Sequence, residues 1–141
     1  MRPTLRIILF LAGLGIGRTV LAQRDSTAIA ATLAGRRALA WVQAVNSGSD
    51  AVVQPFLKAN LSPGELADGP PIAQRLARYR GIHDSASPLV VERLVSNSER
   101  EVTLLVTGKG GKRLHLRMRL EPEAPYGIGQ VGLEDAPPPA D

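Results

Sequence analysis

The chain has no cysteine among its 141 residues. That absence excludes disulfides, thiol nucleophiles, cysteine-containing zinc sites and a lipid anchor on a cysteine. Whatever fold the sequence adopts is held by packing alone. Aromatic residues are also scarce, at one Trp, two Tyr and two Phe, which is too few for the stacking platforms that hold single-stranded nucleic acid. The only two histidines, His83 and His115, lie far apart in sequence. Without cysteine beside them they offer no ligand spacing, and no metal or cofactor is expected. No Gly-x-Ser-x-Gly elbow is present, which argues against a serine hydrolase. Gly108-Lys109-Gly110-Gly111 lacks the Gly-Lys-Ser/Thr ending of a phosphate loop and leads into a strand pattern, not a helix.

Long apolar runs are missing too. Ile7 to Gly17 is an uncharged stretch of 11 residues, which as a helix covers about half of a hydrocarbon core ~30 Å thick. Arg18 ends it, so no stable membrane anchor is expected. Arg2 and Arg6 precede the run, and Val20-Leu21-Ala22 supplies residues suited to cleavage before Gln23. Basic, apolar and small-residue regions in that order read as a secretory signal peptide over residues 1–22, which predicts a periplasmic or secreted protein. Cleavage would leave 119 residues, enough for one domain with a core of its own. The 17 basic and 13 acidic residues fall to 14 and 13 once Arg2, Arg6 and Arg18 depart. A charge of about +1 gives no strong field to draw in nucleic acid.

Residues 23–135 read as that domain, followed by a proline-rich tail or linker over 136–141. Three helices are predicted first. Ser26 or Thr27 caps one that runs to about Val45 and stops at Asn46-Ser47-Gly48. Ser49 caps a shorter one through Val53 and Leu57, in which Pro55 predicts a kink or a separate turn. Pro70-Pro71 open the third, with Ile72, Leu76 and Tyr79 on one face.

Four strands follow. Leu89 to Ser96 and Glu101 to Thr107 are joined by a polar turn, and Gly108 to Gly111 makes the next hairpin. The third strand alternates most strictly: Leu114, Leu116, Met118 and Leu120 face one way, and Arg113, His115, Arg117 and Arg119 the other. Tyr126 to Leu133 closes the set. Helices followed by a sequentially paired meander make an α+β fold, with about three helices packed on a curved four-stranded antiparallel sheet.

Ala38 to Ser49 (ALAWVQAVNSGS), the RLARYRG segment ending at Gly81, and Gly127 to Glu134 (GIGQVGLE) resemble nuclear-transport-factor-2-like (SnoaL-like) domains. In these a long first helix ends in Asn-Ser-Gly-Asp. The likeness extends from about Thr27 to Glu134, and is strongest to exported versions that precede bacterial serine-hydrolase, β-lactamase-like or peptidase domains. It implies a cone-shaped, cystatin-like α+β fold, often dimeric, and in some members with an apolar pocket between helices and sheet. It implies no single activity, because the fold hosts isomerases, dehydratases, cyclases and non-catalytic modules. No acid–tyrosine catalytic set of the steroid-isomerase relatives aligns with this sequence.

Three groups of residues are candidates for function. His83, Asp84 and Tyr79 are the acid–base candidates, since imidazole beside carboxylate exchanges protons near neutrality; the alternative is a helix-end cap. Trp41, Phe56 and Tyr79 either line a ligand pocket or fill the core. Arg113, His115, Arg117 and Arg119 form a basic stripe that either receives a partner or pairs with Glu92, Glu101 and Glu134 on neighbouring strands. The leading expectation is a non-catalytic exported module that binds a protein partner or a small apolar ligand as an accessory to a hydrolase. The rival is a small-molecule isomerase or lyase that uses the cone pocket. A third reading is a structural homodimer whose sheet face carries the arginine stripe.

Overall fold

The computed structural model describes residues 21–138; the expected signal sequence falls almost entirely outside them. Within these residues, five α-helices pack on a four-stranded antiparallel sheet that does not close into a barrel. The helices are α1 (Gln23–Ala30), α2 (Leu33–Ser47), α3 (Asp50–Asn60), α4 (Pro63–Asp68) and α5 (Ile72–Ala86). The strands are β1 (Val90–Asn97), β2 (Glu101–Thr107), β3 (Arg113–Leu120) and β4 (Ile128–Asp135), in sequential spatial order. No helix among the described residues is long and apolar enough to cross a membrane.

The helix expected from Ser26 to Val45 is two helices. Thr32 takes an extended backbone, and its Oγ1 accepts from the Gly35 amide at 3.0 Å, starting α2 anew. The chain folds back so tightly that a Cβ on Gly35 would lie 1.8 Å from the Ile29 carbonyl oxygen. Thr32 also donates to Asn97 Oδ1 at 2.8 Å, and Asn97 Nδ2 donates to the Ala28 carbonyl at 3.0 Å, which ties the junction to the end of β1. Asp25 Oδ2 accepts the Leu94 amide at 3.0 Å, covering part of the β1 edge.

α2 is the central helix. Ala34, Ala38, Trp41 and Val45 recur at helical spacing and are all buried, with Trp41 only 1% exposed. Gly48 ends it at φ 60°, a left-handed conformation that glycine adopts without steric cost. α3 runs unbroken through Pro55, against the expected interruption. The donor that proline lacks would have met the carbonyl of Ala51, which lies in the exposed first turn, open to solvent. α4 has no counterpart among the three expected helices. Its Ser62 Oγ accepts from the Glu65 amide at 3.2 Å, and Pro63 occupies the first turn.

The four strands lie where the alternation puts them, to within two residues at each end. Pairing of Leu116 with Leu104 on one side and Leu133 on the other aligns the inward faces of the central strands. Those faces meet Trp41, Ile29 and Leu57 in one core. Irregular register in β1, and between Arg119 and Leu120 in β3, marks bulges that bend the sheet. β4 begins with a close backbone crossing: Ser62 donates its amide to the Ile128 carbonyl at 3.2 Å, beside an isolated parallel bridge between Leu61 and Ile128. Opposite, Arg37 donates to the carbonyls of Pro125 and Tyr126, fastening α2 to the turn before β4.

Candidate functional site

α5 packs on α2 and α3 but stands off from β4. The gap forms a cavity of about 160 Å³ between α5, α2 and the inner face of β4. Leu61, Ile82, Val131 and Leu133 give it apolar walls, Trp41 and Tyr79 supply its buried floor, and the exposed Pro70, Gln74 and Arg78 mark its mouth. The helical spacing that places Trp41 on the buried stripe of α2 and Tyr79 on that of α5 brings the two rings together. Their centroids are 6.0 Å apart at 61°, an edge-on contact.

Two polar groups accompany this apolar lining. The Trp41 indole Nε1–H is buried and has no acceptor in hydrogen-bond geometry among the described residues. The nitrogen itself has almost no accessible surface and lies near the Tyr79 hydroxyl, so the N–H does not open onto the cavity. Burial pushes the Tyr79 hydroxyl up to about 12. Weaker opposing pulls come from the Trp41 N–H, near the hydroxyl but short of full hydrogen-bond geometry, and from Arg78 and Arg75. Tyr79 is therefore a neutral hydroxyl at any physiological pH.

The two arginines at the mouth differ. Arg75 is occupied: it donates to Glu65 Oε2 at 2.8 Å, to the Glu65 carbonyl at 3.0 Å and to the Pro70 carbonyl at 3.0 Å. Arg78 has no carboxylate within ion-pair distance among the described residues. A second hollow of about 160 Å³, lined partly by Arg75, Arg78, Leu61 and Val131, continues the opening along β4.

His83 and Asp84 do not join this site. His83 lies in the last turn of α5, where its Nδ1 donates to the Val45 carbonyl at 2.9 Å and caps the end of α2. A Cβ on Gly48 would stand 2.6 Å from His83 Nε2, so the imidazole rests directly on the α2 terminus. Asp84 is exposed and makes no side-chain hydrogen bond or ion pair among the described residues. Successive residues on a helix diverge by about 100°, which separates these two side chains despite their adjacency. Phe56 sits on α3, partly buried against the core and apart from the cavity lining.

The basic stripe lies on the outer face of the sheet. Arg113 approaches Glu92 at 3.9 Å, Arg117 approaches Glu134 at 4.0 Å and Arg119 approaches Glu101 at 3.6 Å. Each arginine thus meets one of the three carboxylates expected across the strands. Such exposed pairs contribute about 0–1 kcal/mol each, and their value lies mainly in fixing register. On the same outer face Leu105, paired with His115, and Thr103, paired with Arg117, are 2% and 7% exposed.

The unpaired state of Arg78 at the cavity mouth, among the described residues, is a feature that the sequence does not single out. Arg78 shares its helix with Arg75 and Arg80, and only the neighbours, Glu65 for Arg75 and Asp50 for Arg80, tell the three apart. Among the described residues, no three His, Asp or Glu side chains converge to hold a metal ion. No protein-family model, curated protein or solved structure matches this chain.

Proposed function

We propose that this chain is an exported, NTF2-like binding module that takes a small, mostly apolar ligand carrying a hydrogen-bond acceptor. The observation that carries the reading is the apolar cavity of about 160 Å³ floored by the Trp41 and Tyr79 rings, with the neutral Tyr79 hydroxyl as its buried polar group. A ligand acceptor would meet that hydroxyl, and the surrounding Leu61, Ile82 and Leu133 would gain by covering its apolar body. The cavity volume of about 160 Å³ suits one ring or a short branched chain, since a closed apolar cavity of about 150 Å³ holds benzene. Export rests on the leader-like order of residues 1–22, and the NTF2-like assignment on the motifs around Trp41, Tyr79 and β4.

Binding is preferred over isomerase or lyase chemistry because, of the three acid–base candidates, Tyr79 alone lines the cavity. His83 holds the end of α2, and neither His83 nor Asp84 lines the cavity. The chain has a single tryptophan, so intrinsic fluorescence excited at that residue reports this cavity alone. Titration with toluene, phenol and cyclohexanone should give saturable changes in Trp41 emission and raise the melting temperature, with the two acceptor-bearing probes tighter than toluene. Flat emission and an unmoved melting temperature with all three probes would refute the reading.

A further inference from the structure

The ligand reading specifies an acceptor at the cavity floor and leaves the mouth unassigned. The mouth is chemically asymmetric. Arg75 has its charge bound by Glu65 at 2.8 Å, the same Nη2 also donating to the Glu65 carbonyl and Nε donating to the Pro70 carbonyl. Arg78, one helical turn on, lines both the cavity and the hollow that continues it, is exposed, and has no ion-pair partner among the described residues. Gln74 adds a neutral amide on the same rim. Glu65 is the acidic group nearby, and its engagement with Arg75 removes most of its repulsion for an incoming anion. A guanidinium left free beside an apolar cavity matches a planar oxyanion, which it binds through two parallel N–H donors.

We infer that the ligand is a ring-sized or short-chain monocarboxylate, its carboxylate held by Arg78 at the mouth and its apolar body directed toward Trp41. This rests on the binding-module reading, and it adds charge selectivity that the cavity alone would not possess. A hydroxyl or keto oxygen at the inner end of the same molecule would meet the Tyr79 hydroxyl at the cavity floor. Hydroxy- and oxo-acids of about this size would therefore exceed their unsubstituted parents.

The test is Trp41 fluorescence titration of the full chain with benzoate, 4-hydroxybenzoate, benzamide and toluene, repeated on Arg78→Gln and Arg78→Lys. Arg78 is exposed, so these variants leave the core intact, which unchanged melting temperatures in the absence of ligand would verify. Benzoate should bind about ten-fold or more tightly than its neutral isostere benzamide. Arg78→Gln should erase that advantage and leave toluene binding unchanged, and Arg78→Lys should restore part of it. Equal binding of benzoate and benzamide, or a benzoate preference that survives Arg78→Gln, would overturn the carboxylate assignment while leaving the cavity reading standing. No response to any probe, toluene included, would overturn both.

Discussion

Asn46 makes three hydrogen bonds with one amide side chain. Its Oδ1 accepts from the Leu89 amide at 2.7 Å and the Ser87 hydroxyl at 3.0 Å, and its Nδ2 donates to the Leu89 carbonyl at 2.9 Å. It thereby treats the start of the sheet as a strand neighbour would, and His83 seals the same end of α2 from α5. Tyr79 acts at the other side of that helix, with a hydroxyl whose burial produces a measurable pH dependence. Folded Tyr79 keeps its proton up to about pH 12, whereas an unfolded tyrosine loses it near pH ~10. Its contribution is therefore full below the unfolded value and is lost as pH climbs through the folded one, by roughly 2–3 kcal/mol at the upper end. Urea unfolding should show wild-type stability falling over this window and Tyr79→Phe lacking that component. Parallel curves for the two proteins would contradict the burial of the hydroxyl. Trp41 and Tyr79 are legible in the sequence as buried residues because their helical spacing announces them. The missing acceptor for the indole is not legible, because a hydrogen bond left unmade depends on everything packed around it.

At the scale of elements, local signals and tertiary packing divide the outcome. β3 reads directly from alternation, since each Leu or Met faces inward and each Arg or His outward, and slipping one residue would bury four charges or polar rings. The pairing of Glu92, Glu101 and Glu134 with the arginines follows from the same pattern. The break between α1 and α2 is hidden in the sequence because alanines on both sides favour helix, and one threonine changes little in the periodicity. What breaks the helix is Thr32 bonding to Gly35 and Asn97, the latter 65 residues away. α4 does carry a local signal: Ser62-Pro63-Gly64-Glu65 has a capping serine, a first-turn proline and an acid at the third position. Two glycines should respond in opposite ways to alanine. Gly81 lies within α5, and a Cβ added there would meet nothing within 4 Å, so Gly81→Ala should raise stability by about 0.5–1 kcal/mol. A Cβ on Gly127 would lie 2.3 Å from Ser62 Cα, so Gly127→Ala should displace the start of β4 and cost about 1–3 kcal/mol. Thermal unfolding checks both, and a neutral Gly127→Ala would contradict the close crossing of β4 over Ser62.

For the whole molecule, the α+β order and the meander follow from the sequence, whereas the cavity comes from how far α5 stands from β4. The Leu61–Ile128 bridge ties the end of α3 to β4, the Asn46–Leu89 bond ties α2 to the residue before β1, and the His83–Val45 bond ties α5 to α2. Between those fastenings the helix and strand are left apart, and the apolar surface facing the gap is wide enough for a ring. The most direct measurement is a ¹⁵N–¹H spectrum of the labelled full chain, in which the single tryptophan gives one indole resonance. With 4-hydroxybenzoate added, that resonance should shift in a saturable way as the ligand ring packs against the Trp41 indole in the cavity. An indole resonance that stays fixed while backbone amides elsewhere shift would contradict the assignment of the ligand to this cavity.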